Sequence, residues 1–336
     1  MEKSLSLLPF EKTKREVFVR KDAETSDKFG EYPAKRSTEA LINYGIVNID
    51  KPRGPTSHQV SYYVQKILGI DKSGHSGTLD PNVTGILAIA VGNATKIVQA
   101  LLTAGKEYVC LMHIHKDIDE AKVREAIMLF VGKIRQLPPI KSAVKRELRY
   151  RKIYYLEVME IDGKDVLFKV GCQAGTYIRK LVHDIGQKLG CGAHMVELRR
   201  TKAGPFNEST ELCTLQDLSD ARYYYKEEKN DKYLRKLIQP IEKGVEHLAK
   251  VWVLDTSVNS LCNGASLKVP GVSKVESDIQ TGDPVAIMTL KDELIGFGRA
   301  EIISREMQKQ NKGIAVKMQR IFMQPGIYPK IEKKNE

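Results

Sequence analysis

The stretch GILAIAVG, residues 85–92, is a continuous apolar run with a glycine at each end. Eight residues are too few for a typical helix but suit a strand buried inside a sheet. The run therefore predicts a central strand around which a domain must pack. The turn GHSGTLDP, residues 74–81, stands just before it and brings a histidine, two hydroxyls and one aspartate to the entrance of that strand.

Strand and helix patterns interleave on both sides of this run. Residues 57–68 and 176–190 carry apolar side chains at helical spacing, and residues 93–105 suit a helix that ends at Gly105. Residues 152–161 and 165–172 have strand character and flank an Asp162–Gly163 turn, which is typical of a hairpin. Since no regular alternation of single strands and helices is present, the sequence predicts an α+β fold with a mixed, largely antiparallel central sheet flanked by helices.

The texture of the sequence changes twice along the chain. Residues 1–40 are rich in Lys, Glu, Asp and Ser without a sustained period, which indicates an extended arm. From residue 249 onward, short β-like runs alternate with Gly, Pro and Asp turns, the pattern of a small sandwich or barrel. A charged stretch at 207–250, interpreted as surface helix and connector, separates this block from the preceding domain.

Positive charge is in excess. The chain has 54 Lys and Arg against 42 Asp and Glu, a net charge of +12. Such a surplus favours a polyanionic partner over a solvated lysine-rich surface, although both explain it. Two basic clusters, at 141–152 and 197–205, predict phosphate contact. The residues predicted to contact RNA or a partner are Lys141, Lys145, Arg146, Arg149, Arg151 and Arg199.

Cysteine and histidine spacing argues against metal sites and disulfides. The five cysteines are scattered and form no C-x-x-C pair, so neither a disulfide framework nor a zinc site is expected. His113 and His115 alternate along a strand, but no further ligand accompanies them at a typical spacing. No apolar stretch approaches the ~20 residues that a membrane span requires. We therefore expect no metal, no membrane association and a reducing, cytoplasmic setting.

Asp80 is the candidate for chemistry in the turn. Pro81 restricts its backbone, so the carboxylate is held by a stiff segment. Tyr177 and Arg179 lie in the first turn of the later helix, and an arginine there could keep a carboxylate ionised through a charge-assisted pair. The alternative is an ordinary turn-forming aspartate and a surface arginine.

A serine hydrolase is disfavoured by the same turn. GHSG is similar to the start of the nucleophile elbow G-x-S-x-G, but the fifth position holds Thr78 rather than glycine. His58 and His75 have no partnered acid in a recognisable context. The sequence therefore gives no support to a hydrolytic triad.

Five segments together resemble the TruB/dyskerin family of pseudouridine synthases, and they occur in order over about residues 45–206. The block that begins at 249 resembles the PUA RNA-binding domain, and residues 136–161 are similar to the archaeal and eukaryotic branch, which suggests an archaeal H/ACA-guided enzyme. The five segments are KPRGPTSHQV (51–60), GHSGTLDPNVTGIL (74–87), KEYV (106–109), GTYIRKLVHDIG (175–186) and ELRRTKAGPF (197–206).

The resemblance assigns roles to single residues. It implies that Asp80 is the nucleophile that lets uracil leave the ribose, rotate and rejoin through carbon. It implies that Tyr108 stacks on the uracil and serves in proton transfer, and that Arg179 pairs with Asp80. Direct attack on the sugar and a glycal-type elimination both stay open. The substrate-binding residues it implies are His75, Tyr177, Leu198 and Lys51.

The resemblance also implies an assembly. It predicts the pseudouridine synthase fold without a cofactor, with an arm at 1–40 packing on the PUA domain, a catalytic domain at 41–248 and the PUA domain at 249–330. Expected partners are an H/ACA guide RNA with its target RNA, a small zinc-ribbon-like H/ACA protein, a Gly/Arg-rich-protein homologue and a kink-turn binding protein. A stand-alone tRNA T-loop synthase and a non-catalytic RNA scaffold are the alternatives.

Overall fold

The computed structural model describes residues 6–138 and 145–330, so Lys141 lies outside the described residues. Two sheets organise the chain, one with ten strands and one with seven. In the larger sheet the order is β11-β2-β4-β9-β5-β8-β7-β6, with β10 beside β9 and β3 beside β4; in the smaller it is β1-β14-β12-β15-β16-β17-β13. All the pairings are antiparallel except β4 with β9 and β12 with β15. The predicted α+β fold with a mixed, largely antiparallel sheet is confirmed.

The elements have the following bounds. The helices are α1 Pro9–Lys12, α2 Thr38–Asn43, α3 Ser57–Leu68, α4 Val98–Thr103, α5 Glu120–Met128, α6 Ile178–Lys188, α7 Leu215–Glu227, α8 Lys232–Leu237, α9 Asp255–Cys262 and α10 Ser304–Lys309. The strands are β1 Val17–Val19, β2 Gly45–Lys51, β3 Ser73–His75, β4 Thr84–Val91, β5 Lys106–Ile114, β6 Gly132–Gln136, β7 Arg149–Asp162, β8 Asp165–Cys172, β9 Ala193–Ala203, β10 Phe206–Asn207, β11 Ile238–Pro240, β12 Ala249–Val253, β13 Leu267–Lys268, β14 Val272–Glu276, β15 Pro284–Met288, β16 Leu294–Ala300 and β17 Ile314–Ile321.

The apolar run at 85–92 forms strand β4, as predicted. Residues Ile86 to Val91 are fully buried, and β4 pairs antiparallel with β2 from Gly85 to Ala90. Its two faces enter different clusters, with Ile86 and Ala88 on one side and Leu87 and Ile89 on the other. Burial on both faces explains why the run shows no polar alternation.

Helices cover this sheet where the sequence predicts them. Helix α3 begins at a capping box between Thr56 and Gln59, and it ends at Gly69, whose φ of 71° is the left-handed conformation that glycine adopts readily. Helix α6 buries Leu181 and Val182 against the larger sheet. The helix expected at 93–105 starts instead as a 3₁₀ turn and becomes α4 only at Val98.

The N-terminal arm contacts both sheets. Its strand β1 pairs with β14 at the edge of the smaller sheet. Glu11 forms an ion pair with Lys202 of the larger sheet at 3.0 Å, and Arg36 grips Glu242 through two hydrogen bonds of 2.7 and 2.8 Å. The arm therefore ties the two halves of the molecule together as well as completing the smaller sheet.

The arm also covers His247, and this site predicts acid sensitivity. Phe10 packs edge-on against the ring at 6.1 Å, and burial lowers the pKa of His247 to about 4. An unfolded histidine has a pKa near 6.5, so the unfolded state takes up a proton first and stability falls as the pH drops from 6.5 towards 4. At pH 5 this loss is about 2 kcal/mol.

Thermal unfolding at pH 7 and pH 5 tests this prediction. The melting temperature of His247→Phe should fall less between the two pH values than that of the wild type. The exposed His183 gives the matched control, because His183→Phe should retain the wild-type pH dependence. An equal fall in wild type and His247→Phe would assign the acid sensitivity to other groups.

No helix among residues 6–138 and 145–330 is long and apolar enough to cross a bilayer.

Candidate active site

The loop that carries Asp80 is fixed by three main-chain anchors. The Ser57 hydroxyl accepts a hydrogen bond from the Leu79 amide at 2.8 Å, and lies 3.2 Å from the Leu79 carbonyl. The Pro81 carbonyl accepts from the Gly54 amide at 3.0 Å. Because the residues on both sides of Asp80 are held, the carboxylate has a defined position before any ligand arrives.

Asp80 faces Arg179 directly. The Nη2 of Arg179 lies 2.7 Å from the Asp80 Oδ2, although the two residues are 99 positions apart in the sequence. The side chains are 63% and 56% exposed, so solvent screens the pair and it adds little to stability. A short charge-assisted contact in an open position is better suited to orienting a carboxylate for a ligand than to holding the fold.

The start of helix α6, which carries Arg179, is fixed by a side chain from another element. Tyr177 immediately precedes α6. Its amide donates to Gln136 Oε1 at 3.0 Å, and its carbonyl accepts from Gln136 Nε2 at 3.1 Å. The start of α6 is thereby tied to strand β6. Sequence reasoning missed Gln136, because an amide side chain that pairs with distant backbone leaves no local pattern.

Tyr108 and Leu198 lie on adjacent strands beside the loop. Tyr108 of β5 is half-buried, and burial raises the pKa of its phenol, so it is neutral near pH 7. Leu198 of β9 is also half-buried and pairs with Cys110 of β5. Together they provide an aromatic and an aliphatic surface, which suits contact with the face of a base.

His75 ends strand β3 on the other side of the loop. Its ring meets the ring of His58 edge-on, with centroids 5.1 Å apart and planes at 81°. Burial and the nearby His58 lower the pKa of His75, so the ring is uncharged at neutral pH. A neutral ring in this position can pack against a nucleotide without attracting or repelling its charge.

Lys51 is fully buried beneath the loop. Its ammonium donates to the carbonyls of Pro52, Pro81 and Val83 at 2.9, 3.1 and 2.9 Å. Burial lowers its pKa, whereas Asp80 raises it. The lysine therefore braces the segment that follows Asp80 and adds positive potential near the carboxylate, while its contact with substrate stays a prediction.

Arg200 is a functional candidate that the sequence analysis counted only within the basic cluster at 197–205, and its burial shows that the predicted phosphate contact is wrong for this residue. It is 1% exposed, and it donates from Nε to the Ile86 carbonyl at 2.7 Å and from Nη2 to the Gly77 carbonyl at 3.1 Å. Strand alternation could have found it, because two consecutive arginines in a strand must face opposite sides. Arg199 faces out and Arg200 faces into the molecule.

The family models match nearly the whole chain. A model described as TruB family pseudouridylate synthase (N terminal domain) matches residues 65–178, and one for the tRNA pseudouridylate synthase B C-terminal domain matches 179–246. A PUA domain model matches 249–322 and a DKCLD (NUC011) domain model matches 6–61. The chain belongs to the TruB/dyskerin family of pseudouridine synthases.

Relatives and solved structures agree with this assignment. The chain is 54% identical over 319 residues to "Probable tRNA pseudouridine synthase B" of Pyrococcus abyssi, which covers 95% of this synthase and 96% of the relative. The crystal structure of a Cbf5-Nop10-Gar1 complex contains a chain of 54% identity and TM-score 0.93, with 97% and 99% of the two chains covered. A structure of an H/ACA RNP bound to a substrate RNA containing 2′-deoxyuridine matches at 51% identity and TM-score 0.91, with 97% and 100% covered.

Arg199 is engaged by carboxylates in this synthase. It makes two contacts of 2.9 Å with Asp50 and one of 2.7 Å with Glu208. Hydrogen bonding to Asp50 raises its pKa. A phosphate would have to compete with two carboxylates for this guanidinium, so its contact with RNA stays a prediction.

The other basic cluster is open to solvent in its described part. Lys145 and Arg146 are exposed, with Lys145 paired to Glu147. Arg149 donates to the Lys145 carbonyl at 3.3 Å, and Arg151 donates to the Tyr150 carbonyl at 2.7 Å. Arg146, Arg149 and Arg151 are the stronger candidates for phosphate contact, because none of them is joined to a carboxylate among the described residues.

Charge reversal tests this cluster. In Arg146→Glu/Arg149→Glu, affinity for RNA should fall, and the slope of log affinity against log salt should become shallower by roughly 0.7–0.9 for each lost contact. Lys122→Glu/Arg124→Glu, on helix α5, makes the same change in charge elsewhere and is the control. Binding titrations at several salt concentrations give both values. Wild-type affinity and slope in the first variant would make the cluster a solvated surface.

The two strand histidines lie in a small cluster at the other end of β5. His113 Nδ1 is 2.7 Å from Asp165 Oδ1, and His115 Nε2 is 3.0 Å from His194 Nδ1. Within the part of the chain that the structure describes, no three His, Cys, Asp or Glu side chains form a group that could hold a metal ion.

Proposed function

We propose that this synthase is the catalytic subunit of an H/ACA ribonucleoprotein that isomerises guide-selected uridines, in ribosomal RNA or tRNA, to pseudouridine. The observation that carries the proposal is the Asp80–Arg179 pair, 2.7 Å apart and open to solvent, with Asp80 on the braced loop. A carboxylate in that setting is accessible to a sugar, and its partner arginine holds it in one orientation.

The reaction rearranges the substrate without any other reactant. The bond between uracil N1 and ribose C1′ breaks, the base turns, and a bond forms between C5 and C1′. The proton on C5 leaves and N1 gains a proton, so atoms and charge balance. We assign covalent or base catalysis at the sugar to the Asp80 carboxylate, orientation of that carboxylate to Arg179, and stacking with proton transfer to Tyr108.

The target base must leave its helix to reach Asp80. Unstacking costs a few kcal/mol, which contacts in the pocket offset. We assign these contacts to His75, Tyr177 and Leu198, which offer two aromatic rings and one aliphatic side chain. Lys51 keeps the loop in place while the base turns.

We also propose the partners and the domain division. A small zinc-ribbon-like protein, a Gly/Arg-rich-protein homologue and a kink-turn binding protein would complete the particle with guide and target RNA. The matching structures of Cbf5 with Nop10 and Gar1, and of an H/ACA RNP with substrate RNA, support the first two protein partners and the RNA. The proposed segments are 1–40, 41–248 and 249–330, although the DKCLD match at 6–61 crosses the first boundary.

We propose a cytoplasmic location for the particle. All five cysteines are free thiols. Those of Cys110 on β5 and Cys172 on β8 are buried in the larger sheet, and no disulfide joins them. Free thiols are typical of a reducing compartment.

A comparison of guided and unguided RNA tests the proposed function. A second candidate function is that of a stand-alone enzyme acting on tRNA. The relatives' name, tRNA pseudouridine synthase B, favours it. The protein is incubated alone with a tRNA transcript, and in parallel with its partner proteins, a guide RNA and a matched target. Efficient conversion only with the guide supports the proposal. Full conversion of the transcript by the protein alone would favour the stand-alone enzyme.

A further inference from the structure

Arg200 connects three parts of the active site from below. Its Nε binds the central strand at the Ile86 carbonyl, and its Nη2 binds the Gly77 carbonyl, three residues before Asp80. Arg200 is also the register partner of Tyr108 on the neighbouring strand β5, so the two side chains lie side by side on one face of the sheet, and the guanidinium interacts with the Tyr108 hydroxyl. A guanidinium is planar and rigid, so contacts at several of its nitrogens fix the distances between the groups that it contacts.

The chemical setting of Arg200 is unusual for a buried cation. Its partners among the described residues are two carbonyls and a phenol, and none is a carboxylate. Burial lowers the pKa of Arg200, but the group is still charged near neutral pH. An apolar side chain could fill this volume at a smaller desolvation cost, so packing alone does not account for an arginine here.

The contact with Tyr108 has a direction. Arginine has only donors, whereas a phenol both donates and accepts. The Tyr108 oxygen must therefore accept from Arg200, and its own proton must turn away from the guanidinium. Since Tyr108 borders the pocket, its hydroxyl is left to donate towards the substrate side.

We propose that Arg200 is a positioning residue that fixes both the place and the donor direction of the Tyr108 hydroxyl relative to the Asp80 loop. The proposal rests on the proposed function. It goes further, because it assigns an effect on the rate to Arg200, which has no access to substrate. This effect acts through the Tyr108 hydroxyl.

A double-mutant cycle on the single-turnover rate tests the proposal. The four proteins are wild type, Arg200→Lys, Tyr108→Phe and the double variant, each in the particle with partner proteins, guide and target RNA. Lysine keeps the charge but cannot reach three acceptors at once, so the rate of Arg200→Lys should fall by about 10²-fold, as expected for a misplaced group. Target affinity should stay within about twofold of wild type.

The coupling between the two changes decides the outcome. If Arg200 acts through the hydroxyl, Arg200→Lys should cost less than about tenfold in the Tyr108→Phe background, because the hydroxyl is already absent. Equal fold-losses in both backgrounds would overturn the proposal and leave Arg200 a purely structural residue. Arg124→Gln, at an arginine on α5 whose side chain is 43% exposed and pairs with Glu120, is the control and should retain the wild-type rate.

Melting temperatures of all variants separate misfolding from misplacement. If Arg200→Lys does not fold, Arg200→Gln, which retains a donor for a carbonyl, takes its place in the same cycle. A wild-type particle that converts no uridine would overturn the proposed function and this inference together. A wild type that is active with additive losses would overturn the inference alone.

Discussion

Asp80→Asn should reduce single-turnover isomerisation by at least about 10⁴-fold, the scale seen when a nucleophile is removed from an enzyme. Asparagine has nearly the shape of aspartate and can still accept a hydrogen bond from Arg179. It lacks the negative charge and the nucleophilic oxygen, so neither attack on the sugar nor proton removal from it is available. RNA affinity should change little, because one charge is lost from an exposed ion pair.

Asp71→Asn is the matched control for this variant. Asp71 is exposed in the turn just before β3 and has the same charge and side chain. Its replacement should leave the rate unchanged. Isomerisation is scored by chemical detection of pseudouridine at the target position, and binding by titration of target RNA. An Asp80→Asn protein that binds RNA and retains a rate within tenfold of wild type would remove Asp80 from the chemistry.

Gly85→Ala should destabilise the protein by at least about 3 kcal/mol, a large effect for one methyl group. Gly85 has a φ of 99°, which is strained for any other residue. An added Cβ would also lie 2.2 Å from the Arg200 carbonyl oxygen, since Gly85 pairs directly with Arg200 where β4 meets β9. Backbone on both sides of the contact cannot yield without separating these strands.

Gly132→Ala separates strain from collision. Gly132 has nearly the same φ, 103°, but no atom lies within 4 Å of its added Cβ. Gly132→Ala should lower the free energy of unfolding only by the cost of the backbone strain, about 1–2 kcal/mol. Thermal and urea unfolding of both variants measure the difference. Equal losses of unfolding free energy in the two variants would mean that the close approach of β9 to β4 adds no cost beyond the backbone strain.

The larger elements were predictable because their signals are local. The apolar run of β4, the capping box of α3 and the one-sided pattern of α6 each stand within about a dozen consecutive residues. The hairpin of β7 and β8 was also predicted. Its two-residue turn is Gly163–Lys164 rather than Asp162–Gly163, because Asp162 pairs with Asp165. The start of α4 was misjudged, since the 3₁₀ turn from Gly92 to Ile97 uses the same apolar spacing.

The site was predictable only in part, for a physical reason. The partnership of Asp80 and Arg179 joins residues 99 positions apart, so local pattern alone left it one alternative among several, and the family resemblance was needed to select it. Arg200 and Gln136 act through hydrogen bonds to the main chain: Arg200 donates to carbonyls, and Gln136 donates to the Tyr177 carbonyl and accepts from the Tyr177 amide. Such contacts depend on where distant main chain lies and not on a complementary side chain, so strand alternation could mark Arg200 as facing inward but could not identify its partners.

Retargeting a guide tests guided isomerisation most directly. Two guide RNAs are prepared that select different uridines in one target RNA, and pseudouridine is mapped along the whole target after incubation with the assembled particle. The proposed function predicts that modification moves with the guide, from the first uridine to the second, and that neither is modified when the guide is omitted. Modification of the same uridine with both guides, or of no uridine despite bound RNA, would contradict it.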